Sequence, residues 1–87
     1  MEALKLVKAQ LGITINSRDE YLKAIIEGCK KELLNIQGIK IDETIPDDLM
    51  FLVDYSAWRY SSKDSDAGMP ERIRWRLRNL FLKKAGE

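Results

Sequence analysis

Four arginines stand at alternate positions in the run "RIRWRLR": Arg72, Arg74, Arg76 and Arg78, with Trp75 among them. A guanidinium donates forked, planar hydrogen bonds to carboxylate or phosphate and stacks on aromatic rings. The chemistry on offer is therefore anion recognition beside an apolar anchor. Other chemistry has less to work with. The chain has no histidine and one cysteine, Cys29, which leaves no zinc set, no internal disulfide and no imidazole base. The neighbouring carboxylates Asp47 and Asp48 suit a helix start, whose free amides favour negative charge, better than acid–base work. No Gly-rich phosphate loop or nucleophile elbow is found. The expectation is a protein with no enzymatic activity and no cofactor.

The elements that position these residues are helices. "RIRWRLR" alternates like a half-buried strand, but Pro70 suits a helix start and the alternation fails at "NLFLKK", so a helix is predicted over 70–84. At 100° per residue, Ile73, Leu77, Leu80 and Phe81 gather on one side as its core stripe. Arg72, Arg76 and Lys83 fall on one flank and Arg74 and Arg78 on the other, while Trp75 and Leu82 point away from the core. The outward pair reads as a docking surface; packing of Trp75 on the first helix or the preceding loop is the competing reading.

Three further helices are predicted, near 2–11, 18–37 and 46–62. In the first, Leu4, Val7 and Leu11 share a face and Gly12 follows as a helix stop. The second opens at Ser17, which with Glu20 makes a capping box. Its apolar face is Leu22, Ile25, Ile26, Cys29, Leu33 and Ile36, and it closes at Gly38, with Ile39 folding back on Leu34. Cys29 in that stripe reads as an inert small hydrophobe. Gly28 inside the helix costs about 1 kcal/mol against alanine, which predicts a close helix crossing. The third helix opens on Pro46 and is apolar on two faces: Leu49, Leu52, Val53, Ser56 and Tyr60 on one, Phe51, Tyr55 and Trp58 on the other. The preferred reading makes it the central helix; the alternative gives Phe51, Tyr55 and Trp58 to a neighbouring subunit.

With 87 residues, 45% hydrophobic and 33% charged, the chain is expected to form one domain, an all-α bundle of about four helices with short loops. A chain of this size buries about 60% of its unfolded surface, so association would add to a modest stability. The charged N-terminus has no apolar leader and no stretch is long enough to span a membrane, so a soluble cytoplasmic product is expected. The net charge of +1 hides an asymmetry. From Asp42 to Asp66, seven acids face two basic residues, a net of −5; from Gly68 to Glu87, six basic residues face two acids, a net of +4. Such a pattern suits head-to-tail contact between copies, or two solvated faces of opposite sign. A small DNA-binding or regulatory domain using Arg72, Arg74, Arg76 and Arg78 is the other functional class. It lacks a helix-turn-helix spacing or zinc motif, and the acidic middle opposes it.

The order of "LKLVKAQLGIT", "DEYLKAIIEGCKKELLNIQGI", "IPDDLMFLVDYSAWRY" and "GMPERIRWRLRNLFLKK" resembles the head-tail connector proteins of long-tailed bacteriophages and their prophages. The resemblance rests on the "LGIT" turn, the "LLNIQG" helix end, the proline opening the third helix and "AWRY" near its close. It implies a structural virion protein, assembled in the bacterial host cytoplasm as a homo-oligomeric ring at the head-tail junction. Its partners would be the portal protein and a downstream head-closure or tail component, and its channel would pass double-stranded DNA without sequence specificity. The family has no catalytic residues to carry over. Phe51, Tyr55, Trp58, Trp75, Leu82, Arg74 and Arg78 are then the candidate subunit or partner contacts, and Arg72, Arg76 and Lys83 the candidate contacts to channel DNA or an acidic partner. The chain is short for the family, with a trimmed loop, "SSKDSDAG", before the last helix.

Overall fold

In the computed structural model, which describes residues 2–62 and 68–86, four helices follow one another: α1 (Glu2–Leu11), α2 (Asp19–Asn35), α3 (Pro46–Ser61) and α4 (Glu71–Ala85). The all-α reading holds, and each helix lies where its apolar period places it. Of the trimmed loop "SSKDSDAG", residues 63–67 lie outside the described residues, and Ser61 belongs to the end of α3.

α3 is the hub. It packs against α1, α2 and α4; α1 also meets α2, whereas α4 meets no other helix. Two apolar faces on one helix are what such a position demands. Leu52, Val53 and Ser56 are buried on one side, Phe51 and Tyr55 on the other. Around them close Leu4 and Val7 from α1, Leu22, Ile26, Cys29 and Leu33 from α2, and Ile73 and Leu80 from α4. Ser56 Oγ is buried there beside the Cys29 thiol.

Gly12 and Gly38 both have positive φ, 73° and 70°, which ends α1 and closes the turn after α2 without the Cβ clash another residue would meet. Beyond Gly38 the Ile39 amide donates to the Leu33 carbonyl at 2.9 Å, and the Ile39 side chain enters the core. Pro46 occupies the first turn of α3 after an extended Ile45, as a pre-proline residue prefers. The approach is fixed by Asp42, whose Oδ1 accepts from the Thr44 amide at 3.0 Å and the Thr44 hydroxyl at 2.5 Å. Those bonds hold the Asp42 carboxyl below its ordinary range.

Five expectations change. No capping box forms: Arg18, not Ser17, is the N-cap of α2 and makes no side-chain cap bond. The entry is held instead from α1, where the Lys8 ammonium donates to Asn16 and Asp19, each at 2.8 Å. Ile36 is 72% exposed, because α2 ends one residue before it and the helical period no longer governs it. Leu34 is half exposed, so Ile39 returns to the core beside Leu33 rather than onto Leu34. Phe81 is 46% exposed, since a helix covered by one neighbour buries only a narrow arc and Phe81 lies at its edge. Finally, Gly28 is exposed with no atom within 4 Å of an added Cβ, so no helix crosses it inside the subunit.

Candidate interaction surface

α4 starts after Pro70, whose carbonyl accepts from the Ile73 and Arg74 amides at 3.1 and 3.0 Å. Ile73, Leu77 and Leu80 turn toward α3, with Ile73 and Leu80 buried and Leu77 partly so. Opposite them Trp75 and Leu82 are 58% and 57% exposed. They stand one face apart from the core stripe, as helical spacing dictates. α4 does not meet α1, so Trp75 does not pack there, and most of the preceding loop lies outside the described residues.

The two flanks of α4 differ. On one, Arg76, Asn79, Leu80 and Lys83 border a cleft whose far wall is Asp47 and Phe51 of α3. There Arg76 pairs with Asp54, its guanidinium 5.8 Å from the Phe51 ring centre. On the other, Arg74, Leu77, Arg78 and Phe81 border a shallow groove with Gln37. Arg74 and Arg78 also flank Trp75, beside Glu71. The Arg74–Arg78 ridge therefore stands between an exposed indole and an exposed Phe81, guanidinium groups beside apolar rings.

Much of the charge asymmetry is cancelled within the subunit. Asp54 takes Arg76, Asp48 takes Lys84 at 2.7 Å, and Glu43 takes Lys30 at 2.7 Å, which raises the Lys30 ammonium above its ordinary value. These pairs clip α4 onto α3 and the α2–α3 connection onto α2. Arg72, Arg74, Arg78 and Lys83 make no ion pair among the described residues and stay exposed.

The remaining candidates separate. Phe51 and Tyr55, each 2% exposed, lie in the core and offer a partner almost no surface, which corrects their place among outer contacts. Trp58 is half buried at the seam of α2 and α3, edge-on to Tyr55 at 5.5 Å between ring centres and with the Arg59 guanidinium 5.1 Å from its own centre. Glu32 joins that seam, pairing with Arg59 and accepting from the Tyr55 hydroxyl at 2.5 Å. Burial, and then the bond to Glu32, push the Tyr55 hydroxyl up to about 12. So Trp75, Leu82, Arg74 and Arg78 form one surface, joined by Phe81, which periodicity had assigned to the core.

The model of the phage gp6-like head-tail connector protein family matches residues 1–72. The chain belongs to this family. Membership gives the connector a structural role in the phage, as a component of the virion, in a family not known for enzymes. No curated protein and no solved structure matches it. No helix among the described residues is long and apolar enough to cross a membrane. The match takes in α1, α2 and α3 whole but ends two residues into α4, so the exposed surface of the connector lies beyond it.

Proposed function

We propose that the protein assembles as a homo-oligomeric ring between the portal and a downstream head-closure or tail component, around the channel through which double-stranded DNA passes. The observation that carries this reading, beside membership of the connector family, is the unpartnered face of α4, with Trp75 and Leu82 exposed between arginines. Covering the exposed part of each side chain in a contact is worth roughly 1–2 kcal/mol. In a closed ring every subunit makes the contact twice, once with each face, so small terms accumulate. Arg72 and Lys83, on the opposite flank, suit loose contact with the phosphates of passing DNA, where binding must not impede movement.

The test is the mass of the purified protein by light scattering, over a range of concentrations and salt. A discrete species many subunits in size is expected. A monomer at every concentration overturns the ring, and duplex binding that falls steeply with salt would put a DNA-binding domain in its place.

A further inference from the structure

Gly28 has no task inside the subunit. It sits in mid-α2, exposed, with open space where a Cβ would stand, although alanine would favour the helix. One turn earlier Ala24 is also exposed, so the outer face of α2 carries a shallow depression. Exposed Glu20, in a loose surface pair with Lys23 at 3.5 Å, and exposed Glu27 border it, and Lys31 follows Glu27 by one turn.

The outer face of α4 has the inverse relief. Trp75 and Leu82 project, Arg74 and Arg78 stand beside them, and Glu71 precedes Trp75 by one turn. α2 and α4 each pack on α3 and share no helix-to-helix contact, although Gln37, just past the end of α2, borders the groove beside Arg74 and Arg78. A projection on one side and a matching recess on another is what a head-to-tail contact requires.

We infer that α4 of one copy crosses α2 of the next copy in antiparallel orientation, Trp75 lying over the Ala24–Gly28 depression and Arg74 and Arg78 meeting Glu27 and Glu20. In that orientation Glu71 falls beside Lys31, a further match of sign. A parallel crossing would set Glu71 toward Glu20 and Arg78 toward Lys31, like against like. The occupant is a second copy because both halves of the charge pattern lie on this chain. Small residues at 24 and 28 let the helix axes approach closely and give the indole a flat seat. The contact rests on the ring reading above and supplies its subunit junction.

Sedimentation velocity on the full chain and its variants tests this. Gly28→Leu fills the depression at an exposed site, so the subunit keeps its helical content and thermal midpoint while assembly moves to at least tenfold higher concentration. The reversals R74E/R78E and E20K/E27K each stay monomeric alone. An equimolar mixture of the two assembles, since every junction then joins opposite signs, a result that requires the α4 face of one copy to meet the α2 face of another; a species larger than a dimer makes that contact head-to-tail. A wild type that assembles, with Gly28→Leu and both reversals assembling alongside it, overturns the pairing and leaves the ring standing. A mixture that stays monomeric likewise overturns the pairing. A wild type monomeric up to millimolar concentration overturns both.

Discussion

Asp48 Oδ2 accepts the Lys84 ammonium at 2.7 Å and the Asp42 amide at 2.9 Å, with the Asp48 side chain 1% exposed. One carboxylate thus ties the first turn of α3 to the last turn of α4 and to the loop between α2 and α3. A buried carboxylate with both partners in place is stable there; what is costly is to break the set.

Asp48→Ala removes one buried acceptor from both the Lys84 ammonium and the Asp42 amide. The expected loss is about 2–4 kcal/mol in urea unfolding. Arg76→Ala breaks the Asp54 pair, in which Arg76 is 41% exposed, and should cost no more than about 1 kcal/mol. Equal losses for the two variants would mean that burial does not rank these pairs.

Trp75→Ala and Leu82→Ala act on projecting side chains and should change unfolding free energy by no more than about 0.5 kcal/mol while weakening assembly. Ile73→Ala, at a fully buried position on the same helix, should cost about 2–4 kcal/mol. Circular dichroism and light scattering on the three variants separate the two faces of α4. A large stability loss for Trp75→Ala would place the indole in the core.

Tyr55 gives the fold an alkaline limit. Its hydroxyl ionises near 10 in the unfolded chain and at about 12 in the fold, so between those values the unfolded state holds fewer protons. Stability is then fully present below pH 10 and falls as pH rises through 12, by on the order of 2 kcal/mol. Absorbance of tyrosinate should show a late step from Tyr55. Tyr55→Phe should abolish the late step and flatten the decline in midpoint.

Cys29 is 3% exposed, and burial raises its thiol above the ordinary value. Modification by a disulfide reagent should therefore proceed at the rate of unfolding and accelerate with urea. Rapid labelling of the native protein would show an opening of α2 that its packing does not suggest.

The helices were legible because their apolar residues recur at helical spacing over long stretches, and α3 was recognisable as the hub from its two apolar stripes. Trp75 and Leu82 were legible for the same reason: a helix that buries one arc must expose the residues opposite. The misses have a common origin in tertiary coverage. Phe81 is exposed because only one helix covers α4, and Ile36 because α2 stops short of it. The charge blocks suggested contacts between copies, yet Asp48 meets Lys84 and Asp54 meets Arg76 within one subunit. Distance in sequence hides such pairs. Gly28 announced a close approach, but its place off the Leu22, Ile26, Cys29 and Leu33 stripe already set it on the outward side, where no helix of the subunit lies.

The family match ends where α4 begins, and α4 is also the helix that touches neither α1 nor α2. The subunit therefore divides into a mutually buttressed three-helix unit and an appended one held along a single seam. In native-state hydrogen exchange such a seam gives a sub-global opening, with the amides of α4 exchanging before those of α1, α2 and α3. Occupation of its outer face would close that gap, and α4 would then gain protection from its neighbour that its own subunit does not supply.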